Sequence, residues 1–134
     1  MDNLTATLNS WQPRILSVLR IMAALLLLQH GLVKMFGFPT AFPMAVAPFS
    51  LLWFAALIEI VCGLLILIGF MTRPAAFLLA GTMAAAYFMG HAGRGFYPIA
   101  NGGSLAILYC FTFLYLVFAG PGPWSVDAQR SNTY

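Results

Sequence analysis

The sequence predicts an all-α membrane protein, a four-transmembrane-helix bundle with both termini on the cytoplasmic side. Three observations carry that reading. Hydrophobic residues make up 62% of the 134 positions and charged residues only 7%, against about 25% charged in an ordinary soluble domain. Four apolar stretches, residues 15–36, 51–70, 74–90 and 104–119, alternate with breaks rich in glycine and proline. Within the second stretch Glu59 is the lone charge, and Cys62 is its only weakly polar companion. Such a surface is matched to lipid, and the chain reads as a single membrane domain.

The first two stretches, Ile15–Phe36 and Leu51–Phe70, reach the roughly twenty residues that a spanning helix needs. The third, Pro74–Gly90, and the fourth, Ser104–Ala119, stand at the short limit, so flanking residues are expected to extend them. Backbone in hydrocarbon must satisfy its own polar groups, which leaves helices or closed barrels. None of the stretches has the two-residue alternation of a barrel strand. Gly37, Pro39, Pro43 and Pro48 break the chain between the first two spans. Residues 69–73 form a tight turn, after which Pro74 suits the first position of the next helix. The glycine-rich segment from Gly90 to Gly103 reads as an irregular loop or a re-entrant segment. Gly120-Pro121-Gly122-Pro123 stops the last span, and the tail from Trp124 to Tyr134 is polar and too short to fold alone.

Orientation follows from the distribution of basic residues. With four spans, the N-terminus, the second turn and the C-terminus share one side. That side carries Arg14, Arg20, Arg73 and Arg130, against Lys34 and Arg94 opposite. Both termini are therefore expected in the cytoplasm of a bacterial inner membrane. Trp11 and Trp124 then mark the inner interface and Trp53 the outer one. Ala45-Val46-Ala47 resembles a signal cleavage site, but Pro48 follows it and it lies too far past the apolar core. The first span is expected to be retained.

An acidic residue at the middle of a membrane helix costs roughly 2.5–3.5 kcal/mol on insertion scales, so Glu59 needs a partner. Depth suggests one. Gln29 and His30 lie six or seven residues from the outer end of the first span, roughly 10 Å deep. Glu59 lies eight residues into the second span, roughly 12 Å deep. Lys34 is four residues beyond His30 and shares its face. His91 and Arg94 close the third span, and Asn101 follows in the loop. These residues predict one polar site in the outer half of the bundle: His30 and Glu59 in catalytic roles, with Gln29, Lys34, His91, Arg94 and Asn101 binding substrate. A few convergent polar groups in an apolar bundle fit a small-ligand pocket.

Architectural alternatives stand beside each assignment. A buried His–Glu pair also fastens two helices, and Lys34 and Arg94 also serve as interface snorkellers. Arg20 either reaches the inner headgroups or clamps the cytoplasmic turn by hydrogen bonds. Gly31, Gly63 and Gly81 favour close helix approach over ligand contact.

Other chemistries find little support. His30, His91 and Glu59 supply the residue types of a two-histidine, one-carboxylate metal set, but they are spread over three helices and no metal is expected. Cys62 and Cys110 lie in different apolar spans without a CxxC motif, as packing residues do. There is no dinucleotide fingerprint, phosphate loop or nucleophile elbow, so no nucleotide is expected. The basic residues are scattered singly, unlike the basic face of a nucleic-acid binder.

The run RIMAALLLLQHGLVKMFGF, then IEIVCGLLILIGFMTRPAAFLLA, a His-containing loop with paired glycines, and a closing LVFAGPGPWSVD together resemble the DoxX family of small bacterial membrane proteins. The resemblance extends from about Arg14 to Asp127. Its marks are His30-Gly31 with Lys34, Glu59 with Gly63, the turn from Gly69 to Arg73, and Gly120-Pro121-Gly122 with Trp124, Ser125 and Asp127. Members often carry an acid shortly after the paired glycines of the last loop, where this chain has Ser104 and Leu105.

Members of that family include subunits of thiosulfate:quinone oxidoreductase and membrane parts of redox-stress assemblies, while many have no assigned activity. The resemblance implies a membrane subunit of an oxidoreductase system that binds a quinone or another small hydrophobic redox substrate. His30 would donate to one carbonyl oxygen, Glu59 would hold the imidazole or move a proton, and Lys34 or His91 would meet the second oxygen. Electrons would come from a partner, because the sequence holds no evident redox centre. Expected partners are membrane lipids, a redox enzyme in a hetero-complex or further copies of this chain, and no nucleic acid. A non-enzymatic small-solute carrier is the alternative: His30 with Lys34 and His91 with Arg94 end successive outward spans, as in a hairpin repeat. A membrane anchor or scaffold for a soluble enzyme is a third reading.

Overall fold

A computed structural model describes residues 1–130. Among the described residues all regular structure is helical: α1 (Asp2–Phe36), α2 (Leu51–Ile68), α3 (Thr72–Gly90), α4 (Pro98–Asn101), α5 (Ser104–Ala119) and α6 (Val126–Arg130). Helices α1, α2 and α3 are long and apolar enough to cross a membrane, and α5 is a shorter apolar helix. Helix α1 packs along α2 and α3 along α5, while α2 against α3 and α1 against α5 join the two pairs. The core is built from Ala24, Leu27, Ile66, Ala76, Leu79, Phe113 and Leu116. Outside it the helices present Leu26, Phe54, Leu64, Phe77 and Leu108 at the surface. Apolar side chains on both faces are what lipid-embedded helices require.

Several boundaries differ from the sequence expectation. Helix α1 begins at Asp2 instead of Ile15 and runs through Pro13, because helix formation does not stop where hydropathy does. Helix α3 begins at Thr72, two residues before Pro74. The loop after α3 contains a 3-10 turn at Ala92–Arg94 and the single-turn α4. Residues 126–130 of the expected tail form α6; residues 131–134 of that tail lie outside the described residues.

Close helix approach is confirmed at two of the three glycines expected to provide it. A Cβ on Gly31 would lie 2.8 Å from Ile60 Cγ1 and 3.1 Å from the Ala56 carbonyl, and one on Gly63 would lie 3.0 Å from Leu28. Gly81 instead faces open space on the outer side of α3.

The α2–α3 turn and the C-terminal segment are knotted together. Gly69 adopts a left-handed φ of 74°, and a Cβ there would lie 2.3 Å from Ser125 Cβ, so both conformation and space call for glycine. The Asp127 carboxylate accepts hydrogen bonds from the Met71 and Thr72 N–H groups, both at 3.0 Å. It thereby caps α3 from a distant part of the chain. Arg20, 1% exposed, donates to the carbonyls of Pro121 and Trp124. Of the two expected roles for Arg20, the clamp is the one observed.

Candidate functional site

The Gly31 crossing brings α1 and α2 together where the predicted polar residues stand. Glu59 is 1% exposed, and its Oε1 accepts from Lys34 Nζ at 2.8 Å. The bonded partner of Glu59 is thus Lys34, not His30. The reason lies in side-chain direction. Helical side chains tilt toward the N-terminus, so the long Lys34 stem reaches back about a turn to the depth of Glu59. Glu59 Oε2 is buried and has no hydrogen-bond partner among the described residues.

His30 lies beside this pair. Its ring meets Tyr109 of α5 edge-on, with centroids 5.8 Å apart, and the Glu59 carboxylate acts electrostatically on both rings. Sequence reasoning missed Tyr109. Its signal was a phenol in the mainly apolar stretch 104–119, which it shares with Tyr115; of the two, Tyr109 is the buried one, an aromatic body with one polar tip.

Gln29, His30, Val33 and Lys34 line a half-open cleft of about 270 Å³, closed on the far side by Pro39, Thr40 and Phe42 of the α1–α2 loop. That is slightly below the usual range for ligand pockets of roughly 300–1,000 Å³. The Lys34 ammonium carries three donors; among the described residues one is taken by Glu59.

The remaining predicted residues form a second group. Asn101, 1% exposed, donates to the Tyr87 hydroxyl and the Gly95 carbonyl and accepts from the Gly103 N–H. His91 Nδ1 lies 3.2 Å from the Asn101 carbonyl, and Arg94 is exposed in the adjoining turn. Among the described residues, no hydrogen bond, ion pair or ring contact joins this loop to the Lys34–Glu59 group. Nor do three His, Cys, Asp or Glu side chains gather in a metal-ligating group. Asn101 has its donors and acceptor occupied in holding the loop.

The apolar helices and a buried, paired acid define a helical membrane protein with a polar site inside its bundle. The DoxX family profile matches residues 15–92, more than half of the chain, and the protein belongs to the DoxX family. It is 43% identical over 125 residues to an uncharacterized protein of Haemophilus influenzae, covering 90% of this chain and 93% of that one. A second uncharacterized protein of that organism is 29% identical over 130 residues, 89% of this chain and 85% of the relative. An uncharacterized membrane protein of Mycobacterium tuberculosis is 33% identical over 84 residues, 55% of this chain and 52% of that protein. No solved structure matches the chain.

Proposed function

We propose that this chain is a four-span subunit of an oxidoreductase system in the bacterial inner membrane, with both termini in the cytoplasm. In this reading it holds the head of a quinone in the cleft beside Lys34. The observation that carries the proposal is the ion pair. Glu59, enclosed in the bundle, fixes the Lys34 ammonium at the wall of the cleft. His30 lines the same cleft from the same helix face, so two donors are available to one ligand. A quinone carbonyl would accept from Lys34 Nζ and the other from His30. The cleft has room for the ring alone, and the isoprenoid tail would run along exposed Met22 and Leu26 of α1. Protons accompany quinone reduction, and an imidazole with an ordinary pKa near 6.5 is suited to deliver them. The electrons would arrive from a separate redox protein.

The test is purification in mild detergent followed by lipid extraction. Near-stoichiometric quinone is expected with the unaltered protein and not with Lys34→Met. Its absence from repeated preparations of unaltered protein would refute the proposal. The carrier reading keeps one specific support, the division into an α1–α2 and an α3–α5 pair, each with polar residues at one end. Solute uptake by reconstituted vesicles, lost in Glu59→Gln, would favour that reading instead.

A further inference from the structure

Every residue from Met1 to Ile15 is exposed. Beyond Pro13 no other part of the described chain flanks α1, because the C-terminal segment ends its contact there: a Cβ on Gly122 would lie 2.9 Å from the Pro13 carbonyl, and Ser17 Oγ, one turn further on, donates to the Pro121 carbonyl and accepts from the Trp124 N–H. The residues preceding Pro13 thus project past the bundle by roughly 18 Å at 1.5 Å per residue. They are amphipathic. Leu4, Leu8, Trp11 and Ile15 are 60, 61, 48 and 57% exposed and recur at the spacing of a single helix face. Asp2, Asn9 and Ser10 lie on the other side.

The direction of that face identifies its occupant. It continues the stripe of Val18, Met22 and Leu26, which are exposed on the lipid side of α1, opposite the buried Ser17, Arg20, Ala24, Leu27 and Gly31. If the projecting segment turns outward, away from the bundle, through about a right angle, a face that looked sideways into lipid comes to look back onto the membrane surface. A turn toward the bundle would aim it into water. Pro13 sits at the joint. It has no N–H, so the Asn9 carbonyl lacks its intrahelical donor and the helix is weakest there. The Arg14 guanidinium lies 4.6 Å over the Trp11 ring, a pairing of the two residue types that anchor helices at headgroup level.

We propose that residues 2–14 turn outward at Pro13 and lie on the bilayer surface, with Leu4, Leu8 and Trp11 at the boundary of the acyl chains and Asp2, Asn9 and Ser10 in water. The segment carries few charges, Asp2 and Arg14 among its side chains. Its attachment therefore rests on apolar burial and is indifferent to salt and to anionic lipid, unlike that of basic interfacial helices.

The experiment places the full chain, with Cys62→Ala and Cys110→Ala, at low density in phosphatidylcholine vesicles with and without phosphatidylglycerol. Single cysteines at Leu4→Cys, Leu8→Cys, Asn9→Cys and Ser10→Cys are reacted with a water-soluble maleimide. The first two should react about tenfold more slowly than the last two, the factor given by about 1.4 kcal/mol of burial, in both lipid mixtures. In a protein whose other tryptophans are Trp53→Phe and Trp124→Phe, brominated lipid should quench Trp11. Equal labelling at all four positions, or an unquenched Trp11, would overturn the proposal in favour of a segment free in water. Oxidative cross-linking of Leu8→Cys between copies would overturn it in favour of a second copy of this chain.

Discussion

Lys34 Nζ donates to Glu59 Oε1 at 2.8 Å across the α1–α2 interface, and the second carboxylate oxygen of Glu59 is enclosed with no partner among the described residues. A buried pair is a weak source of stability as a unit, but removing one member strands the other charge. The usual loss is about 3–5 kcal/mol. Lys34→Met is therefore expected to lower thermal stability in detergent more than Glu59→Gln, which leaves a neutral amide beside a lysine that can reach the cleft. The double variant Lys34→Met/Glu59→Gln should recover much of the loss. A double-mutant cycle on unfolding midpoints gives the coupling directly. Additive effects would show that the pair is not formed in the folded protein.

Gly31 determines whether that pair can form, because a Cβ there would lie 2.8 Å from Ile60 Cγ1 and 3.1 Å from Glu59 Cβ. Overpacking of this kind costs about 1–3 kcal/mol. Gly31→Val should destabilise by that amount and displace α1 from α2. Ile60→Ala added to it should restore part of the stability, since the side chain is the nearer obstacle. Gly81→Ala, into open space, should change stability within about 0.5 kcal/mol. Comparable losses at Gly31 and Gly81 would contradict the packing described.

The helices were legible in the sequence, because hydropathy and the glycine and proline breaks mark them. The pairing was not. His30 and Glu59 do lie at similar depth, but which side chain closes the bond depends on stem length and tilt, and these favour Lys34. His91, Arg94 and Asn101 were expected in the same site. The path of the loop after α3 has no periodicity to read, and Asn101 instead holds that loop together through Tyr87, Gly95 and Gly103. The start of α1 was missed for a different reason. Its first turns are polar enough to escape a hydropathy reading, although Leu4, Leu8, Trp11 and Ile15 already carried the helical period.

Asp127 supplies a helix cap over a separation of 55 residues in sequence. Loss of an N-cap acceptor costs about 0.5–2 kcal/mol, and asparagine caps nearly as well as aspartate. Asp127→Ala should therefore destabilise by about that amount. Asp127→Asn keeps one acceptor oxygen for one of the two N–H groups, loses the other bond and the charge that acts on Arg20, and should destabilise less than Asp127→Ala. Trp124 lies in the same C-terminal segment, a strap across the α2–α3 turn, so its emission should shift more in Asp127→Ala than in Asp127→Asn. Equal effects of the two changes would mean that charge, not capping, holds the strap.

Arg20 and Lys34 stand on one helix fourteen residues apart, which is roughly 21 Å along α1. Their environments share no residue: Arg20 serves the carbonyls of Leu67, Pro121 and Trp124, while Lys34 serves Glu59. Arg20→Met leaves the Leu67 and Trp124 carbonyls without this donor and the Pro121 carbonyl with Ser17 Oγ alone, at about 1–3 kcal/mol for each one that stays unsatisfied. Lysine is no equal substitute, because a single ammonium cannot reproduce the planar fork of the guanidinium. Changes separated by more than about 7–10 Å add within about 0.5 kcal/mol. Arg20→Met and Glu59→Gln should accordingly sum in stability, whereas quinone retention should fall in Glu59→Gln and survive in any Arg20→Met protein that remains folded. Calorimetry or a fluorescence melt measures the first quantity and lipid extraction the second. Loss of the ligand from folded Arg20→Met would show that the strap and the cleft are coupled through α1.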